Sequence, residues 1–229
     1  MIKREKYLSK IRDFYDKNII KVITGIRRSG KSVLIKQIID ELKSKDIDDN
    51  HIIYLNFEDV KNVFIDNYLK LDEYVTSKIT DDKKYYLFFD EIQLISEWER
   101  AINSFNATLN TSVFVTGSNS KLLSGELATL LSGRYVSFKI APFNFKEIVE
   151  LKNLTTTEEI KKAFADYILW GGMPQRFEFD NIDSMKIYLN DLFSSIVLKD
   201  IVKRYNIKNV AIFERVIEYL VTNPSQVFS

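Results

Sequence analysis

Residues 25–32 read Gly25-Ile26-Arg27-Arg28-Ser29-Gly30-Lys31-Ser32 and match the pattern G-x-x-x-x-G-K-[ST] at every fixed position. Glycines at both ends let successive backbone N–H groups turn inward. With the start of a following helix, such donors form a cradle for phosphate oxygens. In that geometry Lys31 reaches the terminal phosphates and the Ser32 hydroxyl is placed to ligate Mg²⁺. The expected contact segment is therefore Gly25, Ile26, Arg27, Arg28, Ser29, Gly30, Lys31, Ser32 and Val33, with Arg27 and Arg28 at variable positions whose side chains often face solvent. A plain glycine turn with a solvated lysine is the competing reading, and the strand-like and helix-like runs on either side argue against it.

The second chemical feature is Tyr85-Tyr86-Leu87-Phe88-Phe89-Asp90-Glu91, an apolar run that ends in two adjacent carboxylates. At the C-terminal end of a parallel strand, acids are delivered to the edge where α/β sheets bind ligands. There Asp90 would hold Mg²⁺, and Glu91 would orient and polarise the water that attacks a γ-phosphate. Taken alone, such a pair is as well explained by a solvated turn or a helix cap. Its weight comes from its conjunction with the glycine loop.

These groups need a scaffold, and the hydrophobic pattern supplies one. Residues 19–24, 51–57, 85–89, 112–116 and 135–140 are short, β-branched or aromatic runs that read as strands. Helical spacing separates them over residues 31–42, 65–79 and 98–109, and an amphipathic helix opens the chain within residues 1–17. Strands alternating with helices imply right-handed crossovers and a parallel sheet covered on both faces. After Pro142 helical periodicity takes over, in 145–152, 158–170, 183–205 and 208–221, with Gly171-Gly172-Met173-Pro174 as an internal turn. The expected division is a phosphate-binding α/β core over 1–142, including the opening helix, and a helical part over 143–229. Val210, Phe213, Ile217 and Leu220 form an apolar stripe on the last helix with almost no chain after it, as expected of a fragment whose next element is missing.

Together the glycine loop, Asp90-Glu91, the strand ending Thr116-Gly117-Ser118-Asn119 and Arg134 resemble an AAA+ type P-loop ATPase. More narrowly, GIRRSGKS, YLFFDEIQ, VTGSNS, LLSGRY, APFNFKEI and WGGMP are similar to a prokaryotic family of AAA-like ATPases, in which a C-terminal domain of uncertain, nuclease-like character usually follows. The resemblance implies a P-loop ATPase core over 1–142 with a five-stranded parallel sheet of order 5-1-4-3-2 flanked by helices, and a C-terminal helical lid over 143–229 that leads toward a truncated winged-helix element. It implies a polar sensor at the tip of the fourth strand, for which Asn119 is the candidate and Ser118 the second; an Asn in a Gly-Ser turn is the alternative. Arg134 resembles an arginine finger, a residue that commonly faces a neighbouring subunit and so implies a homo-oligomer, with a surface salt bridge as the alternative. The family's lid would bring residues 171–174 near the nucleotide.

Composition sets the remaining bounds. The 33 basic and 32 acidic residues nearly cancel, so no global field favours a nucleic acid or an anionic membrane. The absence of cysteine excludes disulfides, thiolate metal sites and cysteine nucleophiles, and the lone His51 excludes His-rich metal centres. No signal-like or membrane-spanning run occurs, so a cytoplasmic protein is expected and the sequons at Asn106, Asn110 and Asn153 are discounted. The expected activity is Mg²⁺-dependent ATP hydrolysis coupled to conformational change in a protein partner or attached domain. ATP is preferred over GTP because no [NT]-K-x-D segment follows the fourth strand. The same residues also permit an ATP-dependent switch with little turnover, a small-molecule kinase, or a DNA-associated motor in which Lys199, Lys203, Arg204 and Lys208 touch nucleic acid.

Overall fold

The structure is a computed structural model that describes residues 2–117, 131, 133–196, 201–202 and 205–223. Five strands, β1 (Ile20–Thr24), β2 (Ile52–Asn56), β3 (Tyr85–Asp90), β4 (Thr111–Gly117) and β5 (Tyr135–Lys139), form one sheet in the order β2-β3-β4-β1-β5. Every pairing is parallel. Read from the other edge this is 5-1-4-3-2, the expected order. The three central strands are buried at every position, whereas the edge strands alternate or open to solvent. That difference explains why β1, β3 and β4 carry near-continuous apolar runs: a strand covered on both faces has no solvent side on which to place polar residues.

Helices α1 (Glu5–Ile11) and α2 (Lys31–Lys43) cover one face of the sheet, packing Leu8, Ile11, Leu34, Ile35 and Ile38 against Ile23, Phe88 and Phe114. Helices α3 (Tyr68–Lys78) and α4 (Trp98–Thr108) cover the other, where Leu71, Val75, Ile102 and Phe105 meet Val22, Leu55, Leu87, Phe89 and Val115. The helix expected from residue 65 starts later because the Asn67 side chain caps it, accepting the backbone N–H groups of Leu69 and Lys70. The opening helix is shorter than its spacing implied and tightens into a 3-10 turn at Arg12–Phe14.

Beyond β5, capping boxes at Asn144/Glu147 and Thr156/Glu159 start α5 (Phe145–Leu151) and α6 (Thr157–Trp170). Both helices belong to the compact unit that holds the sheet, Met1–Phe177. Glu178–Ser229 forms the second unit and contains α7 (Ile182–Ser195) and α8 (Val210–Thr222), each capped by an Asn side chain. Residues 197–200 and 203–204, within the expected helix 183–205, lie outside the described residues.

Candidate functional site

The glycine loop joins the C-terminal end of β1 to the first turn of α2, whose N-cap is Gly30. Gly30 has φ 98°, a conformation that an L side chain adopts only under strain. At Gly25 (φ 151°) a Cβ would stand 2.3 Å from the Ile140 carbonyl oxygen, so this position requires glycine for close approach as well. Lys31 is buried, and its Nζ donates to the carbonyls of Gly25 and Ile26 at 3.2 Å each. Ser32 and Val33 are half-buried in the same first turn, while Ile26 and Arg28 are exposed at the loop tip.

Asp90 and Glu91 reach the same edge of the sheet from β3, across intervening β4. Lys31 Nζ lies 3.6 Å from Glu91 Oε1, close enough for an ion pair between two buried groups. Burial pushes the Lys31 ammonium below its ordinary range, and the charges of Glu91 and Asp90 oppose that push. Glu91 has φ 56°, and its Oε2 accepts from Gln93 Nε2 at 2.5 Å.

Sequence reasoning missed three residues here. Thr116, near the end of β4, donates its hydroxyl to Asp90 Oδ1 and accepts the Glu91 N–H at 3.1 Å, so one hydroxyl links both acids. Tyr54 on β2 donates to Asp90 Oδ2 at 3.2 Å; burial and the adjacent carboxylate raise its pKa and keep it a donor. Arg4, 1% exposed, lies against the glycine loop from the N-terminal segment, with its NH1 group 3.0 Å from the Ser29 carbonyl. Thr116 stood in a quoted motif whose candidate was the later Asn119. Arg4 stands in a Lys-Arg-Glu run that no local pattern separates from a solvated charged stretch.

Other expected positions fall as follows. Ser118 and Asn119 lie outside the described residues. Arg134 is exposed and immediately precedes β5, where its carbonyl accepts the Ile20 N–H at 3.0 Å. Since Ile20 begins β1 and the glycine loop follows the strand's other end, Arg134 is not brought to its own chain's Lys31. The turn 171–174 approaches the loop through the next residue, as Arg28 NH1 donates to Gln175 Oε1 at 2.8 Å. His51 pairs with Asp81 and packs edge-on against Tyr85, away from the loop. Lys208 is in the second unit, and Lys199, Lys203 and Arg204 lie outside the described residues. No helix of the described residues is long and apolar enough to cross a membrane.

The residues present fit a magnesium-nucleoside triphosphate. Ser29 Oγ is buried without a hydrogen-bond partner among the described residues, within the glycine loop. An ammonium, a hydroxyl at a helix N-terminus and two carboxylates converge there. That is a donor set suited to phosphate oxygens and a hard cation.

The family model described as AAA domain matches residues 17–149, and one described as a domain of unknown function matches residues 161–229. An uncharacterized protein of Haemophilus influenzae is 40% identical over 228 residues, covering 99% of this chain and 57% of its own. An uncharacterized protein of Methanocaldococcus jannaschii is 35% identical over 203 residues, covering 84% of this chain and 44% of its own. The chain thus spans about half the length of these curated relatives. Among solved structures it is similar to Hsp104 of S. cerevisiae in a casein complex (TM-score 0.48, 14% identity, 86% of this chain and 38% of that one). It is also similar to a DNA replication initiation factor (TM-score 0.42, 18% identity, 89% and 69%). A third is the P-loop NTPase domain of a sigma-54 transport activator from E. coli (TM-score 0.38, 10% identity, 62% and 100%). At these identities the likeness concerns the fold alone. With a parallel 5-1-4-3-2 sheet, a complete phosphate-loop motif and a family match over more than half its length, this chain belongs to the AAA domain family of P-loop ATPases.

Proposed function

We propose that the chain binds ATP with Mg²⁺ and hydrolyses the γ-phosphate, and that hydrolysis drives a conformational change in a protein partner or an attached domain. One observation carries the reading: Lys31 and the Asp90-Glu91 pair meet at one edge of a parallel sheet, with 3.6 Å between Lys31 Nζ and Glu91 Oε1. Amides of the loop and Lys31 would hold the phosphates, and Ser32 with Asp90 would hold Mg²⁺. That ion, when bound, neutralises charge developing on the phosphoryl oxygens. Glu91 would accept the proton of the attacking water. Its bonds to Lys31 and Gln93 keep the carboxylate engaged, and substrate phosphates compete for the same ammonium, so Glu91 is freed for water as substrate enters. Asn119 remains the proposed sensor of the γ-phosphate. Arg134, at the far end of its own sheet, would act only in a neighbouring copy's site, which ties its role to a homo-oligomer.

The test is Glu91→Gln, which preserves shape and removes the base. ATP binding should persist while phosphate release in Mg²⁺ collapses. Undiminished turnover would remove Glu91 from the chemistry, and absence of ATP binding by the unaltered protein would overturn the function.

A further inference from the structure

Arg4 is a buried cation that the hydrolytic reading leaves unused, and its surroundings are specific. Nε donates to Glu147 Oε1 at 2.8 Å, NH1 to the Ser29 carbonyl at 3.0 Å and NH2 to the Ala141 carbonyl at 2.8 Å. The guanidinium carbon lies 4.9 Å from the Tyr7 ring centroid and 5.0 Å from that of Phe143. Its own backbone N–H donates to Gln37 Oε1 on α2 at 2.9 Å, and Gln37 Nε2 returns a bond to the Ile2 carbonyl at 2.7 Å. The N-terminal segment is thereby fastened to α2, to the chain leaving β5 and to α5 together.

The contact with Ser29 has a geometric consequence. A trans peptide is planar, so its C=O and the following N–H point in opposite directions. Holding the Ser29 carbonyl toward Arg4 therefore turns the Gly30 N–H away from Arg4, toward the concave side of the loop. Gly30 admits this arrangement at close quarters, since a Cβ there would lie 3.1 Å from Arg4 NH1. Lys31 fixes the other limb of the loop through the Gly25 and Ile26 carbonyls.

We propose that Arg4 is a positioning residue for nucleotide binding: its fork holds the Ser29 peptide so that the Gly30 N–H faces phosphate, and through Ala141 and Glu147 it ties loop shape to α5. The proposal rests on the nucleotide reading above. The fork matters because a lysine ammonium is a point charge that does not reproduce three divergent planar donors. From α5 the tie extends to the Gly171-Gly172 turn, where the Phe143 N–H donates to the Gly172 carbonyl at 2.8 Å.

Removing Arg4 alone strands Glu147 in a buried position and threatens folding, whereas replacing both partners by apolar side chains of similar volume is commonly tolerated. The experiment therefore compares Arg4→Met/Glu147→Met, Arg4→Lys and Glu147→Gln with the unaltered chain, measuring Kd for Mg-ATP, phosphate release and hydrogen exchange of peptides covering 25–32 without nucleotide. In the double variant, Kd and KM should rise at least tenfold with kcat at saturation changed less than threefold, and loop exchange should quicken at least tenfold. Arg4→Lys should follow the double variant, while Glu147→Gln, which keeps the grip on Ser29, should stay within about threefold of the unaltered chain. A folded double variant with unchanged Kd and unchanged exchange would overturn the proposal, as would full rescue by lysine. Equal losses in Glu147→Gln and the double variant would overturn it too, by showing that the ion pair and not the grip on Ser29 sets affinity. Should the unaltered chain bind no Mg-ATP while loop exchange still depends on Arg4, the clamp stands and the nucleotide reading falls.

Discussion

Replacing Thr116 with valine isolates a single hydroxyl at the centre of the acidic half of the site. Valine matches threonine in shape, so no cavity opens in the fully buried end of β4. Two bonds vanish: the one donated to Asp90 Oδ1 and the one accepted from the Glu91 N–H. A hydrogen bond to an ionised group contributes about 1.5–3 kcal/mol, and a stranded buried N–H costs about 1–3 kcal/mol. Because one hydroxyl makes both bonds the losses overlap, and the expected destabilisation is about 3 kcal/mol. Asp90 keeps its bond from Tyr54 at 3.2 Å, so metal binding should weaken without disappearing. If about 1.4 kcal/mol of the lost ordering is felt in the transition state, kcat falls roughly tenfold. Urea unfolding reads the first quantity, and phosphate release at saturating Mg-ATP reads the second. Thr116→Ser, which keeps the hydroxyl, should recover most of both. Turnover at the unaltered rate in Thr116→Val, with stability changed by less than about 0.5 kcal/mol, would refute the idea that this hydroxyl sets the two carboxylates.

Further outcomes follow from other positions. Lys31→Ala should abolish detectable Mg-ATP binding in calorimetry, since it removes the ammonium from the loop carbonyls and from Glu91 at once; retained affinity would remove Lys31 from the site. Gly172→Ala would drive a Cβ to 1.9 Å from the Phe143 carbonyl oxygen, and thermal unfolding should report a loss of about 1–3 kcal/mol. Lys21, fully buried in β1 over Phe114, has its pKa pushed down to about 7, chiefly by burial. The unfolded chain therefore binds the extra proton between about pH 7 and 10, and this residue makes stability rise with pH across that window, by at most about 1.4 kcal/mol per unit. Lys21→Met should flatten that part of the stability profile, and identical pH slopes in the two proteins would show that Lys21 stays charged in the fold. Arg134→Ala should lower phosphate release without weakening ATP binding, and only at protein concentrations where specific activity in the unaltered chain rises with concentration.

How much of this was legible beforehand differs by residue. Gly25, Gly30, Lys31 and Ser32 announce themselves because phosphate binding demands fixed residue types at fixed local spacing, with strand before and helix after. The central strands are legible because buried parallel strands write continuous apolar runs into the sequence, whereas their order came from the family resemblance alone. Asp90 and Glu91 were legible as acids ending such a strand. Their meeting with Lys31 at one sheet edge was expected from the conjunction with the glycine loop, but the 3.6 Å between Lys31 Nζ and Glu91 Oε1 depends on β4 lying between β1 and β3 in register. Thr116, Tyr54 and Arg4 acquire their meaning only from that assembly.

The sequence alone determined the class of chemistry, since that rests on contacts between near neighbours along the chain and on patterns that repeat with the period of a strand or a helix. Tertiary structure alone decided which hydroxyl joins the two acids, which arginine is withdrawn from water to hold the loop, and that Arg134 stands at the far end of its own sheet. Those outcomes depend on strands distant in sequence arriving side by side, and a side chain's desolvation and partners are properties of that arrangement, written in no single segment.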